Sequence, residues 1–385
     1  MKTKTSIPFA RPTIGDSEKQ AVLEVLDGDV LTHGPQNKAF EQEFSAFMGG
    51  SAHAVTTSSC MAALHLACWQ LGFGPGDEVL VPAQTHTATV HAVELVGAKP
   101  VFVDCNEQDG NMDVSVLRKK ISPKTRGLIV VHFLGIPCPM DEVMQIADKH
   151  SLRVIEDCAL AVGTYHQDKH AGLWGDAGCF SFYPAKHITT GEGGMFVTKH
   201  KDLAEKVTKV RGFGVDRKFE ERKIPGIYDV PQLGLNYRMS EINAAIGRKQ
   251  IERLPEILAT RKRNFSRLKA QILSILGVHV PDIHFNHGKS SHYCLSAILP
   301  EKIRSHRNDL VLELNASGIG TSVYYPQPVP RMTYYRNKYG YEAAHYPIAE
   351  LISDASIALP VGPHLGEAEI DEIAGTFKEV VERHL

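Results

Sequence analysis

The chain has 385 residues, of which 43% are hydrophobic and 22% are charged. This length exceeds what one simple core needs, so we expect two domains. The 42 basic residues nearly balance the 44 acidic ones, which leaves a formal net charge of -2. That balance argues against a nucleic-acid partner, and no basic run points to a membrane surface.

The cysteine pattern indicates a reducing compartment. The number of cysteines, 7, is odd, and no pair has the C-x-x-C spacing, so we expect free thiols and neither a disulfide framework nor a metal centre. The first residues lack the apolar run of a secretory signal. No segment approaches the roughly 18 apolar residues that span a bilayer. We therefore expect a cytoplasmic protein.

Short β-rich runs alternate with helix-like stretches in the first half of the chain. This alternation predicts an α/β domain over residues 1–250, with a mostly parallel sheet covered by helices. Uninterrupted Val, Ile, Leu and Phe runs fit strands that are buried on both faces. The predicted strands lie at 53–57, 78–83, 100–104, 127–135, 152–157, 177–183 and 193–198.

The sequence pattern changes near residue 240, where it becomes strongly helical. A long helix over 240–273 is predicted to lead into a smaller α+β domain at residues 251–385. That domain is expected to end in an amphipathic helix near 367–383, and the N-terminal segment is a candidate to pack on it. Ligands of open α/β sheets bind beyond the carboxyl ends of strands, so the site is sought there.

Two strand ends carry the residues with the clearest chemistry. Lys186 follows the strand 177–183 among apolar and aromatic residues, a setting that lowers an amine pKa enough for nucleophilic use. A lone lysine is more often a surface residue. Asp157 ends the strand 152–157, where a carboxylate can hold the proton on a pyridine nitrogen. Taken alone, it is more typical of a turn.

Three further segments follow predicted strands or precede helices. Cys60 and Met61 begin a helix whose first-turn amides suit a phosphate, although a plain serine cap explains the turn equally well. His86 follows the strand 78–83 and could stack on a flat cofactor or simply pack. Asn236 lies just before a helix and would be ordinary loop chemistry by itself.

Together these segments resemble the DegT/DnrJ/StrS family of sugar-nucleotide aminotransferases, a branch of the fold-type I enzymes that use pyridoxal 5'-phosphate (PLP). The resemblance covers essentially the whole chain. Among its parts are GDEVLVPAQTHTATVHAV, VIEDCALAVG, FSFYPAKHITTGEGGM and LGLNYRMSEINAAIG. It implies a PLP cofactor that alternates with its amine form (PMP), and a homodimer with active sites shared between subunits.

The resemblance also implies roles for individual residues. Lys186 would be the catalytic lysine that bonds PLP covalently, and Asp157 would pair with the ring nitrogen. His86 falls where the family stacks an aromatic residue on the ring. His187 and Tyr324 would contact the substrate. The family has a late His-Tyr pair that begins with Tyr324 here, so the resemblance does not fix the substrate.

The phosphate would be held by the turn at Cys60 and Met61, by the hydroxyl of Ser181 and by Asn236 of the partner subunit. The family usually has Gly-Thr or Ala-Thr at this turn, so one hydroxyl is lost while the backbone amides remain. The family often has Gln where Leu160 stands, which leaves the cofactor's phenolic oxygen less well held.

The resemblance implies a ping-pong transfer of an amino group from L-glutamate to a nucleotide-linked keto sugar, with a 4-keto sugar as the first choice. One alternative is a nucleotide-sugar 3-dehydratase, whose relatives carry histidine where Lys186 stands. A second is a non-catalytic regulator, which should have lost Lys186 or Asp157. The sugar, the nucleotide and the aminated carbon stay open, as does a cyclitol acceptor.

Overall fold

The computed structural model describes residues 6–216, 224 and 226–385. The first half alternates helices and strands, as the sequence predicts. In chain order the elements are α1 (Asp16–Leu26), α2 (Pro35–Phe47), β1 (His53–Thr57), α3 (Cys60–Gln70), β2 (Glu78–Pro82), α4 (Thr87–Leu95), β3 (Lys99–Val103), α5 (Val114–Lys120), β4 (Thr125–Val131), α6 (Met140–His150) and β5 (Arg153–Asp157).

The second half holds fewer strands and longer helices. Its elements are β6 (Tyr165–His166), β7 (Lys169–His170), β8 (Ala177–Ser181), β9 (Gly194–Thr198), α7 (Lys201–Val210), α8 (Glu241–Glu252), α9 (Leu254–Ile272), β10 (Gly288–Lys289), β11 (Leu295–Ile298), α10 (Arg307–Ala316), α11 (Thr333–Tyr339), α12 (Pro347–Ala355), β12 (Ser356–Leu359) and α13 (Glu367–His384).

Within the described ranges, seven strands form the main sheet in the order β1-β9-β8-β5-β4-β2-β3. The neighbours from β3 to β8 run parallel, whereas β9 runs antiparallel to both β1 and β8. Every residue of β8 and β9 is buried, as expected of strands covered on both faces. The predicted α/β class with a mostly parallel sheet is confirmed, and β9 is its exception.

The single long helix predicted over 240–273 is wrong, because the structure divides it into α8 and α9. Arg253 ends α8 and also precedes the first residue of α9. Pro255 lies in the first turn of α9, where its missing N–H costs nothing because no intrahelical partner exists for it. The same proline could not continue α8 without loss of a hydrogen bond.

A second core lies between α9, α10, α13 and the antiparallel pair β11 and β12. Ile7 joins this core and pairs with Ile319, so the N-terminal segment packs on this part of the fold. Helices α11 and α12 do not join this second core. Their residues Tyr335 and Ile352 belong to the core of the main sheet. The C-terminal half thus serves both cores, and the domain boundary between 250 and 251 stays a prediction.

The seven cysteines are all free and buried. In the part of the chain that the structure describes, no helix has the length and apolar character needed to cross a membrane.

Candidate active site

Hydrogen-bond register brings several strand ends to one edge of the main sheet. Ser181, the last residue of β8, pairs with Gly194 at the start of β9, and Gly194 pairs with Thr57 at the end of β1. Asp157 ends β5 and pairs with Cys179 of β8. The carboxylate, the serine hydroxyl and the turn after β1 therefore share the edge at which the sequence analysis places the site.

The turn between β1 and α3 offers backbone N–H groups at this edge. Ser59 caps α3 and accepts a hydrogen bond from Ala62 N at 3.1 Å. The amides of Cys60 and Met61 lie in the first turn, where no intrahelical acceptor exists, and with the helix dipole they suit an anion. Gly194 lies so close that a Cβ atom there would be 2.4 Å from the carbonyl carbon of Ser59.

Asp157 is a buried carboxylate held by neutral donors. Its Oδ2 accepts a hydrogen bond from Thr89 Oγ1 at 2.7 Å, and its Oδ1 accepts one from Ala159 N at 3.0 Å. The thiol of Cys60 lies 4.0 Å from Oδ1. Among the described residues, none forms a salt bridge with it. A buried carboxylate of this kind favours a cationic partner such as a protonated ring nitrogen.

Lys186 lies beyond β8, with its amine among poorly solvated groups. Burial lowers the pKa of this amine from its ordinary value, while Cys60, Asp157 and Cys294 act in the opposite direction. Its Nζ lies 5.3 Å from the centre of the Tyr293 ring. A lowered pKa increases the share of neutral amine, which is the nucleophilic form.

His86 both caps α4 and presents its ring. Its Nδ1 accepts a hydrogen bond from Ala88 N at 3.1 Å, so the capping interpretation of this residue holds. The residue is exposed, and its ring lies 5.9 Å from that of Tyr325. The cap uses only the ring edge, so it does not itself occupy a ring face.

Tyr293 is a site residue that the sequence reasoning missed. Its hydroxyl lies 2.6 Å from that of Tyr324, and its carbonyl accepts a hydrogen bond from Arg261 Nη1 at 2.8 Å. Burial is the main cause that raises the pKa of Tyr324 to about 12. A paired, neutral set of phenols therefore lies beside the Lys186 amine. No local sequence signal marks Tyr293, because the segment just before β11 has an ordinary hydrophobic pattern.

Residues 12–378 match the DegT/DnrJ/EryC1/StrS aminotransferase family. The chain belongs to this family. It is 34% identical over 379 residues to the spore coat polysaccharide biosynthesis protein SpsC of Bacillus subtilis, with 97% of each chain covered. The PMP form of Spr1654 from Streptococcus pneumoniae superposes with a TM-score of 0.93 at 29% identity, covering 98% of this chain and 100% of the other.

A second solved structure supports the same assignment. Helicobacter pylori PseC, an aminotransferase involved in the biosynthesis of pseudoaminic acid, superposes with a TM-score of 0.91 at 26% identity. It covers 98% of this chain and 100% of that chain. The predictions of fold-type I architecture, of a PLP cofactor and of an enzyme of the sugar aminotransferase type are thereby confirmed.

The residues at the sheet edge fit this family's cofactor on structural grounds. The donor set at the start of α3 suits a phosphate, and the Ser181 hydroxyl lies at the neighbouring strand end. The Asp157 carboxylate forms no salt bridge with any described residue, the Lys186 amine has a lowered pKa, and the His86 ring is exposed. The phosphate, the ring nitrogen, the aldehyde carbon and the ring face of PLP would each have a complementary residue.

Two predicted positions have buried surroundings. His187 is 3% exposed, and its Nε2 lies 3.1 Å from the carbonyl oxygen of Ser291. This burial favours a structural role over the direct substrate contact that the sequence analysis predicts. The His187 ring packs against the Tyr293 ring and so helps to hold it in place. Leu160 is buried in the main core, and its carbonyl accepts a hydrogen bond from Ser291 Oγ at 2.7 Å.

Asn236 is exposed, in a loop that is firmly anchored. The carbonyl of the next residue, Tyr237, accepts a hydrogen bond from Ser58 N at 2.8 Å, and the Tyr237 hydroxyl lies 3.1 Å from Nδ1 of His65 on α3. The backbone of Asn236 pairs with Gly212. The structure therefore brings this loop beside the turn of its own chain, while the Asn236 side chain stays accessible to a second subunit.

One group of potential metal ligands lies inside the fold: ligand atoms of His132, Glu156 and Cys158 lie within 4.8 Å of one another. Glu156 already accepts hydrogen bonds from His132 Nε2 at 3.1 Å and from Gly172 N at 2.7 Å. Burial opposes ionisation of Glu156, but these hydrogen bonds outweigh it and lower its pKa. The arrangement favours an internal anchor for the neighbouring loop over a metal site.

Proposed function

We propose that this family member transfers an amino group from L-glutamate to a nucleotide-linked keto sugar, with a 4-keto sugar as the first choice. One observation carries the proposal: the thiol of Cys60, at the start of α3, lies 4.0 Å from Oδ1 of Asp157, and the Lys186 amine lies near both groups. Burial is the main cause that raises the pKa of this thiol, Asp157 raises it further, and Lys186 lowers it. A lysine, a carboxylate and a phosphate-binding turn thus converge.

The residues of the site divide the work of transamination. PLP, when bound, withdraws electrons from the carbon that carries the amino group. In the first half-reaction the neutral Lys186 amine takes the proton from Cα of the amino donor. In the second half-reaction Lys186 donates a proton to the sugar carbon that receives the amino group. When PLP is bound, Asp157 would hold the proton on the ring nitrogen and the His86 ring would lie against one ring face. The amides of Cys60 and Met61 would hold the phosphate.

The two substrates use the site in turn. L-Glutamate gives up its amino group and leaves as 2-oxoglutarate, and the keto sugar then accepts that group and leaves as an amino sugar. Such alternation is a ping-pong mechanism. The Tyr293 ring lies 5.3 Å from the amine that moves the proton, and its hydroxyl lies 2.6 Å from that of Tyr324. Tyr293 is buried and Tyr324 only partly so, and we therefore propose that Tyr324 contacts the substrate. Lys186 at the position of the dehydratase histidine favours transamination over loss of water.

A panel of acceptors tests this proposal. The protein is converted to the PMP form with L-glutamate, freed of small molecules and mixed with nucleotide-linked 4-keto and 3-keto sugars. We expect a 4-keto sugar to restore PLP absorbance in one turnover and to yield one equivalent of amino sugar. A 3-deoxy keto sugar released together with ammonia, in place of an amino sugar, would instead indicate the dehydratase. Reaction only with a keto cyclitol would overturn the nucleotide-sugar assignment.

We also propose a homodimer in which Asn236 reaches the phosphate of the partner's site. An exposed apolar strip near this loop supports the proposal, because large exposed apolar patches usually mark interfaces. Leu233 is 73% exposed, and Ile227 is 62% exposed. Other members of the strip are Phe213, Ile224, Tyr228 and Val230. A second copy of the chain is the occupant that this proposal requires.

Mixing two defective variants tests the shared site. Lys186→Ala chains and Asn236→Ala chains are combined and allowed to exchange subunits. If Asn236 acts in the partner's site, one site of each mixed dimer carries both defects and the other carries none. Random pairing makes about half of the dimers mixed, so about a quarter of wild-type activity should return.

The alternative arrangement predicts a different result. If Asn236 serves its own chain, as its closeness to Ser58 would permit, every site of a mixed dimer carries one defect and mixing gains nothing. Subunit exchange is verified with two affinity tags. No recovery despite proven exchange would refute the site shared between subunits.

We further propose that the enzyme works in the cytoplasm. The seven cysteines are free thiols, which suits a reducing compartment. We therefore expect the enzyme to keep its activity in buffer that contains a thiol reductant.

A further inference from the structure

We propose that Thr89 is a positioning residue that fixes the Asp157 carboxylate and thereby sets the protonation of the bound cofactor. Thr89 lies on α4, 68 residues before Asp157 in the chain, and its Oγ1 lies 2.7 Å from Asp157 Oδ2. The inference rests on the proposed pairing of Asp157 with the ring nitrogen. It adds a residue that acts through the carboxylate without touching the substrate.

The direction of the hydrogen bonds follows from the chemistry of the groups. Thr85 Oγ1 lies 2.7 Å from Thr89 Oγ1, and both threonines are buried. An ionised carboxylate can only accept, so the single proton of the Thr89 hydroxyl is donated to Asp157. Thr85 must then donate to Thr89. The result is a buried chain from Thr85 through Thr89 to Asp157, in which each bond polarises the next.

This chain matters because the hydrogen bonds to both oxygens of Asp157 come from neutral donors. Ala159 N donates to Oδ1 and Thr89 to Oδ2, so each carboxylate oxygen is held by a different element. Removing the Thr89 hydroxyl takes away the donor to Oδ2. The carboxylate then turns more freely, so it would be less well aligned with the ring nitrogen that it is proposed to pair with.

Neighbouring residues of the same segment orient the rest of the site. Gln84 Nε2 donates to the carbonyl of Tyr324 at 2.9 Å, and His86 presents its ring. The segment from Gln84 to Thr89 therefore reaches the ring face, the ring nitrogen and the substrate side together. A substitution at Thr89 must leave this packing intact if it is to report on Asp157, and valine has nearly the shape of threonine.

The experiment compares Thr89→Val, Thr89→Ser, Asp157→Asn and the double variant Thr89→Val/Asp157→Asn. Two readouts are taken on purified protein: the affinity of the apoprotein for PLP, and the pH dependence of the absorbance of bound PLP. Loss of a hydrogen bond to a charged group corresponds to about a tenfold or greater change in an equilibrium constant. We therefore expect about tenfold weaker PLP binding and a shifted pH titration for Thr89→Val.

The matched variants separate positioning from packing. Thr89→Ser keeps the hydroxyl and should restore both readouts to nearly wild-type values. In the Asp157→Asn background, Thr89→Val should add little, because a residue that acts through the carboxylate has no effect once its charge is gone. Thr85→Val should shift the titration in the same direction by a smaller amount.

The outcomes distinguish the two layers of the argument. If Asp157→Asn shifts the titration and Thr89→Val leaves both readouts unchanged, the inference about Thr89 falls while the role of Asp157 stands. If Asp157→Asn changes nothing, the role of Asp157 fails and the inference fails with it. Should Thr89→Val not fold, Thr89→Ala is compared with Thr89→Ser. Equal titrations of these two would overturn the positioning role.

Discussion

Replacing Lys186 with alanine is expected to remove the visible absorbance band of the covalently bound cofactor and to abolish turnover. In the proposed function this amine is the nucleophile, and burial lowers its pKa so that more of it is neutral. Alanine keeps the backbone and removes both the covalent link and the proton carrier. In the wild-type protein, borohydride should bleach the band and leave the cofactor covalently attached, whereas the variant should retain no covalently attached cofactor after reduction.

Two other variants serve as controls for this prediction. Lys149 is an exposed lysine in the last turn of α6, and Lys149→Ala should keep full activity and the normal spectrum. His187→Ala should reduce activity without abolishing it, since the ring packs against Tyr293 and holds the carbonyl of Ser291. Full turnover by Lys186→Ala would show that another group moves the proton.

Replacing Asp157 with asparagine is expected to slow turnover about 100-fold or more, which corresponds to about 2.7 kcal/mol of transition-state stabilisation. Asparagine can keep the contacts with Thr89 and Ala159 but carries no charge. Without the charge, the ring nitrogen loses its proton more easily and the cofactor withdraws electrons less strongly. The rate of each half-reaction, measured in single turnovers, checks this.

A surface carboxylate provides the matched comparison. Asp148 is exposed on α6, so Asp148→Asn should leave both half-reactions unchanged. Nearly normal rates in Asp157→Asn would mean that the carboxylate only terminates its strand. Normal PLP binding with a slow first half-reaction would place the defect in the chemistry and not in cofactor retention.

The strand ends of the site could be predicted because their signals are local. Lys186 and Asp157 each follow a short apolar run, and the structure places both runs in the main sheet. Thr89 and Tyr293 could not be found in this way. Thr89 meets Asp157 from 68 positions away, and Tyr293 meets Tyr324 from 31 positions away. Such contacts depend on packing, which no local pattern records.

The break between α8 and α9 has a signal in the sequence, but the amphipathic pattern around it favours a single helix. Continuous amphipathic character over residues 240–273 favours one helix, yet Pro255 stands within it. Proline disfavours helical backbone at the residue before it and lacks the N–H that α8 would need. A strong hydrophobic period therefore concealed a boundary that the covalent structure of one residue dictates. The antiparallel strand β9 is different, because strand direction depends on connections that sequence periodicity does not encode.

The packing of α11 and α12 against the main sheet has a consequence for folding during protein synthesis. Tyr335 and Ile352 belong to the core that β1 to β5 begin to build much earlier in the chain. While the ribosome has made only the first part, that core lacks these side chains and leaves apolar surface open to water. This apolar surface is buried only after the C-terminal part of the chain has been made. Partly folded intermediates that expose apolar surface in this way are the species that chaperones bind.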